Sequence, residues 1–282
     1  MNDTTDWFTI ERIAPETHQI TEGQGVLPCN TFVVDGGDEA LLIDTGLGIG
    51  DLRSVVEDLV GGDVRVLLTH SHWDHLGAAT QFDDVVINGR ERGPDGTVSL
   101  DVLEDDYDQR PREFMADWLE LGKPLPDGFD PDNYSIEPIP DVGAVDPGDT
   151  LTVGNRELEL VPVPGHTPGL LAVLDRETGV CHGSDVLEPG IEIFAHFEDS
   201  NLSAYRESID RLVSLRDEGA FDTLTIGHGD PIRDDDLSVL DHVSEALTAV
   251  ANDEASYEVI ETSWGPTRSA TVGDVTVLTP AE

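Results

Sequence analysis

The segment Val64–Gly77 reads V-R-V-L-L-T-H-S-H-W-D-H-L-G and crowds His70, His72, Asp74 and His75 into six residues. An apolar run ends at Thr69, so these side chains emerge where a buried strand gives way to a loop. Three imidazoles and a carboxylate make poor core material, because each polar atom would need a partner. As metal ligands they are well matched: zinc takes imidazole nitrogen at about 2.0–2.1 Å and carboxylate oxygen at a similar range. The alternating pair His70 and His72 can serve one ion more easily than the adjacent Asp74 and His75, and four ligands this dense suggest two metals. Three more strand ends repeat the context. L-V-P-V-P-G-H-T presents His166, V-C-H-G-S-D-V-L places Asp185 just past a strand, and L-T-I-G-H-G sets His228 between glycines. A lone strand-end histidine is commonly a hydrogen-bonded loop residue; the recurrence is what points to a shared site.

The elements that must position these residues are legible as short apolar runs at Thr31–Val34, Ala40–Ile43, Val64–Leu68, Val85–Ile87, Glu157–Val163, Leu170–Leu174 and Thr223–Ile226. Turn signals such as Asp35-Gly36-Gly37 separate them. Leu202, Tyr205, Ile209, Leu212 and Val213 follow a helical period behind Asn201 as N-cap. A later helix carries Leu237, Leu240, Val243, Leu247 and Val250 and opens on Asp234, Asp235 and Asp236, which suit the positive end of the dipole. Strands interleaved with helices indicate an α/β layered class. Between about 93 and 148 the chain is acidic and proline-rich. There Pro111–Leu121 reads as an amphipathic helix with Phe114, Met115, Trp118 and Leu119 on one side, serving either as a lid or as a structural bridge. The C-terminal stretch Ser256–Glu282 reads as an added edge strand without chemistry.

In order and spacing, H-S-H-W-D-H, P-G-H-T-P-G, S-D-V-L and G-H-G resemble the metallo-β-lactamase-fold hydrolases, and Leu41–Gly46 (L-L-I-D-T-G) resembles that family's first motif. The resemblance runs from about Phe32 to Gly229. It implies an α/β, four-layer αββα sandwich and a single domain over 1–282 with the 93–148 segment as an insertion. It also implies one metal on His70, His72 and His166, a second on Asp74, His75 and His228, Asp185 bridging both, and Asp44 supporting the metal-binding loop. Ser184 departs from the glycine usual before the bridging aspartate and puts that ligand's geometry in question. The histidine at position 72, where the redox-active diiron branch carries glutamate, disfavours that branch. Two divalent ions, expected as zinc with iron or manganese as alternatives, would hold a hydroxide near neutral pH. The expected reaction is attack of that hydroxide on an ester-type carbonyl, a thioester or lactone first of all, with Asp74 as catalytic residue. An iron thiol or persulfide dioxygenase of the same fold, and a metal-stabilised binding protein without turnover, are the alternatives. His182 reads as structural and His242 as a surface residue, whereas His196 and Tyr205 are pocket candidates.

The 36 Asp and 23 Glu against 14 Arg and the single Lys123 leave a formal charge of −44 on 282 residues. Such self-repulsion is tolerable in molar salt, where the screening length is about 3 Å, so the composition resembles that of a protein from a salt-loaded cytoplasm. With no basic stripe to meet phosphates, a small-molecule substrate is expected and a nucleic-acid partner is not. Neither a basic-then-apolar leader nor an apolar run of about 18 residues is present, so the chain is expected to be cytoplasmic and off the membrane. Two cysteines, Cys29 and Cys181, are too few for a disulfide framework or a zinc cluster, and Cys181 reads as a small buried residue.

Overall fold

Two compact units account for the strands and helices read from the sequence in this computed structural model, one of residues 1–146 and 151–157 and the other of 147–150 and 158–282. The structure describes residues 7–23, 27–100 and 107–281. Residues 1–6 of the N-terminal reading and 101–106 of the proline-rich segment lie outside them. No helix among the described residues is long and apolar enough to cross a membrane.

The first unit holds a seven-stranded sheet in sequential order: β1 (Thr9–Ala14), β2 (Thr17–Glu22), β3 (Cys29–Asp35), β4 (Glu39–Ile43), β5 (Asp63–Leu68), β6 (Val85–Asn88) and β7 (Gly143–Val145). Strands β1 to β4 pair antiparallel and β4 to β7 pair parallel. The switch falls where α1 (Leu52–Leu59) crosses from β4 to β5, because a parallel neighbour needs such a crossover. Asp51 caps that helix by accepting a hydrogen bond from the Ser54 N–H, and Leu52, Val55 and Val56 bury its inner face. Strands β4 and β5 run in register, Ile43 opposite Leu67, so Asp44 and His70 leave the same carboxyl edge of the sheet. In open α/β sheets that edge is where ligands bind.

After β5 comes α2 (Trp73–Leu76), a single turn, and within the proline-rich segment α3 (Arg110–Glu120). Pro111, Phe114, Met115 and Trp118 are buried as the spacing requires, but Leu119 is 47% exposed. The expectation for Leu119 is corrected: one helical step of 100° beyond Trp118 takes it off the inward row. Phe114 packs on Trp73 of α2 at 5.2 Å between ring centroids and Trp118 on Trp7 at 5.4 Å, so α3 buttresses the turn that carries Asp74 and His75.

The rest of the chain forms β8 (Thr150–Val153), β9 (Arg156–Pro162), β10 (Leu171–Asp175), β11 (Val180–His182), β12 (Glu192–Phe194), β13 (Thr223–Thr225), β14 (Ile232–Arg233) and the helices α4 (Leu202–Asp217) and α5 (Val239–Ala251). One sheet takes the order β14-β13-β11-β10-β9-β8. Asn201 caps α4 through the Ala204 N–H, as the sequence suggested. The three aspartates before α5 instead form a 3-10 turn, Asp234–Ser238, ahead of the α-helix proper. The C-terminal expectation is also corrected. In place of one edge strand there are three, β15 (Tyr257–Thr262), β16 (Gly265–Val272) and β17 (Val275–Pro280), in a separate sheet ordered β12-β17-β16-β15. Gly265 and Gly273, at φ of 92° and 65°, make the two reversals that a single run of apolar residues does not announce.

Cys181 lies in β11 at 0% exposure, and burial pushes its thiol pKa up to about 12. The thiol should resist iodoacetamide at pH 8 in the folded protein and react once the chain is unfolded; mass spectrometry of the labelled peptides checks this.

Candidate metal centre

The first unit builds its half of the candidate site around Asp44. This residue follows β4 with φ of 60°, a left-handed conformation that aspartate tolerates better than most residues. Its Oδ1 accepts the Thr69 N–H at 2.7 Å, and its Oδ2 lies 2.9 Å from His75 Nδ1. An ionised carboxylate only accepts, so Nδ1 of His75 carries the proton and the ring's lone pair sits on Nε2. The Thr69 hydroxyl donates its one hydrogen to the same carboxylate, 2.8 Å from Oδ2, and lies 3.1 Å from His70 Nδ1. Having no second hydrogen to give, Thr69 Oγ1 accepts from His70, which fixes that ring in the same tautomer. The His70 ring centroid stands 4.2 Å from His75 and 4.6 Å from His72. His72 precedes α2 as its N-cap residue, while Asp74 and His75 lie within its turn. All four side chains are buried.

Backbone contacts lock this loop to the Asp44 turn. Thr45 donates through both N–H and hydroxyl to the His75 carbonyl, and the Gly77 N–H reaches the Gly46 carbonyl. The approach is so close that a Cβ on Gly48 would stand 2.2 Å from the Gly77 carbonyl oxygen. Glu22, at the end of β2, tethers the far side of the turn. It accepts the N–H groups of Leu47, Gly48, Ile49 and Gly50 at 2.8, 3.2, 3.0 and 2.9 Å and the Trp7 indole at 2.8 Å. Burial pushes the Glu22 carboxyl pKa up, and these hydrogen bonds pull against it. Tyr134 donates to the Leu47 carbonyl at 2.6 Å; burial first, then the charge of Glu22, carries its phenol well above the usual range. Glu91 accepts from the Ser71 N–H and hydroxyl at 3.2 and 2.7 Å.

The second unit gathers His166, Asp185 and His228, all buried. Nδ1 of His166 donates to the Phe194 carbonyl at 3.0 Å, which leaves its lone pair on Nε2. That Nε2 lies 3.5 Å from Asp185 Oδ2, and Nε2 of His228 lies 3.7 Å from the same oxygen. Two ligands about 2 Å from an ion at tetrahedral angles stand about 3.3 Å apart, so the spacing suits donors that share a cation. Gly165 is required by its neighbour: a Cβ there would meet Tyr205 Cα at 2.4 Å. Tyr205 in turn donates to the Asp185 carbonyl at 2.7 Å. Ser184 takes φ of 52°, the region glycine occupies freely, at a cost of about 1 kcal/mol. The Asp185 carboxylate nonetheless lies against both imidazoles, so the serine is accommodated. Of the other histidines, His182 contacts Thr225 Oγ1 within the sheet at 3.0 Å and His242 is exposed beside Asp274. His196 is partly buried, and burial, then the neighbouring His166, lowers its pKa to about 4.

Each unit thus brings together the site residues read from its own stretch of sequence. Glu22, Glu91 and Tyr134 went unread; none stands in a motif, and only burial and partners mark them, while Thr69 was read only as the end of the strand. The seven buried imidazole and carboxylate side chains are chemically able to hold a metal ion.

The profile of the Metallo-beta-lactamase superfamily matches residues 24–228, and the chain belongs to that superfamily. It is 28% identical over 211 residues to an acyl-coenzyme A thioesterase, MBLAC2, of Gallus gallus, covering 71% of this chain and 72% of the relative. It is 28% identical over 160 residues to the hydroxyacylglutathione hydrolase GloC of Haemophilus influenzae, covering 57% and 66%. The crystal structure of a metallo-beta-lactamase family protein from Thermus thermophilus superposes with a TM-score of 0.58 at 21% identity, covering 85% of this chain and 81% of that one. The fold is that of the superfamily, of the α/β class.

Asp44→Asn exchanges a two-oxygen acceptor for a mixed group that cannot receive both Thr69 and His75. Metal affinity, read by competition with a chromophoric chelator, should fall about 10–100-fold while circular dichroism stays that of the folded protein.

Proposed function

We propose that the chain is a binuclear metal hydrolase that cleaves thioesters, with lactones as the second substrate class. His70, His72 and His166 would hold one ion, Asp74, His75 and His228 the other, and Asp185 would serve both, in a single domain over 1–282. Zinc is the expected metal, with manganese or iron as alternatives. Such ions, when bound, lower the pKa of water to about 7 and polarise a carbonyl oxygen. The protein's own part is orientation. Asp44 and Thr69 hold the His70 and His75 rings with Nε2 outward, the Phe194 carbonyl does so for His166, and Asp74 accepts a hydrogen bond from the attacking water. The observation that carries this reading is the two buried ligand sets, in which His70, His75 and His166 each give the Nδ1 hydrogen to an acceptor and so carry the lone pair on Nε2. The likeness to an acyl-coenzyme A thioesterase favours a thioester over a β-lactam.

The setting proposed is the cytoplasm of a salt-rich cell. A charge of −44 repels nucleic acid and favours a small substrate at high ionic strength. Raising KCl from about 0.1 M to molar levels should raise the unfolding temperature, read by differential scanning fluorimetry, because the Debye length shrinks from about 10 to 3 Å.

His72→Ala and Asp185→Ala should abolish turnover of a thioester and lactone panel in molar KCl with the circular dichroism spectrum retained. Full activity in both variants rejects the ligand assignment. Elemental analysis should return two ions per chain; one iron with oxygen uptake would mean a dioxygenase, and metal-dependent stability with no turnover would mean a binding protein.

A further inference from the structure

His196 stands in I-F-A-H-F-E-D, two residues beyond β12, and it is surrounded by aromatic rings. Its own ring lies 4.4 Å from Phe197 at 30°, 5.3 Å from Phe194 and 6.2 Å from Trp264, which sits at the turn between β15 and β16. Phe197 also meets Trp264 edge-on at 4.8 Å and His166 at 5.1 Å, and the Phe194 carbonyl holds His166 Nδ1. His196 therefore shares its neighbours with a proposed metal ligand. Both of its ring nitrogens are closed to solvent, and neither has a hydrogen-bond partner among the described residues. A buried polar group left without a partner is costly, and a phenylalanine would fill an aromatic cluster without that cost. Any partner for these nitrogens has to come from beyond the described residues.

We infer that His196 is a specificity-determining residue, offering a hydrogen bond to a polar group on the substrate's arm while Phe197 and Trp264 pack on that arm's apolar atoms. The group is an amide or a hydroxyl, borne by either the thiol or the acyl side of the scissile bond. Its entry displaces the Trp264 ring, whose turn ends at Gly265 with φ of 92°. This rests on the thioester reading above.

The test compares His196→Phe with the parent on three thioesters: S-hexanoyl-N-acetylcysteamine, S-hexanoyl-pentanethiol, and S-(2-hydroxyhexanoyl)-pentanethiol. KM should rise about tenfold, the worth of one hydrogen bond, for the substrate whose amide or hydroxyl His196 meets. The plain thioester should be unaffected, with kcat within about threefold throughout and metal content unchanged. The thioester that responds identifies the arm. The substrate-free variant should also unfold at a higher temperature than the parent, because an apolar ring replaces two buried, unpartnered nitrogens. His196→Gln, which keeps a hydrogen-bonding group, should return KM part of the way. Unchanged KM for all three thioesters overturns the inference, as does a variant that loses metal and unfolds earlier. If the parent hydrolyses no thioester, the proposed function fails instead, and the unfolding temperature still tests His196: a fall on substitution by phenylalanine refutes it.

Discussion

One carboxylate, buried behind the strand ends of the first unit, governs the chemistry available to two imidazoles. Asp44 receives His75 directly and His70 through the Thr69 hydroxyl. Because a carboxylate cannot donate, the direction of every hydrogen in the chain is settled at its root, and both rings present the basic Nε2 away from Asp44. A neutral amide there would make the direction ambiguous, and a hydrophobic residue would leave the rings to rotate. For His70 and His75 to serve as the proposed ligands, an acceptor that fixes which nitrogen carries the lone pair matters as much as residue type.

That acceptor is itself held in a strained place. Asp44 has a left-handed backbone, and the turn it opens continues through Gly46 and Gly48, also at positive φ. Turns of this kind persist only when the surroundings over-determine them. Glu22 supplies much of that, gathering four consecutive N–H groups and the Trp7 indole on one carboxylate. On its other side the turn is zipped to the His75–Ala78 backbone. Rigidity around His70 and His75 therefore comes from backbone pairing between two loops, and the aromatic packing of Phe114 on Trp73 supports the same turn from α3.

How much of this was legible depends on whether the signal is local. His70, His72, Asp74 and His75 are neighbours in sequence, and their strand announces itself as V-R-V-L-L; His166, Asp185 and His228 share a strand-end context that repeats. Strands β3 to β6, β9, β10 and β13 and helix α4 could be read because burial on a sheet or helix face imposes a period. Strands β1 and β2 could not, since T-I-E-R-I-A and T-H-Q-I-T-E carry mixed polar residues, and β1 is a largely exposed edge. Glu22 was invisible for a further reason: its function is set by residues 25–28 positions away in the chain, which no periodicity encodes. The same holds for Trp264, whose meeting with Phe197 joins distant parts of the sequence.

The acidity of the chain conceals its functional acids. Among 59 carboxylate side chains, composition gives no means of telling a solvated surface charge from one that builds a site. Burial with partners does. Glu22, Asp44 and Glu91 are each within the interior and each receives at least two donors, whereas Asp83 and Asp84 meet arginines at the surface, where an ion pair contributes little. The two populations answer to different constraints. Surface carboxylates respond to ionic strength and are individually replaceable. Interior ones are screened little by salt and tied to a specific donor set, so their contribution should persist at low ionic strength even where the net charge destabilises the chain. An effect of ionic strength on stability and an effect of Asp44 substitution on metal affinity are, on this physical ground, expected to be separable.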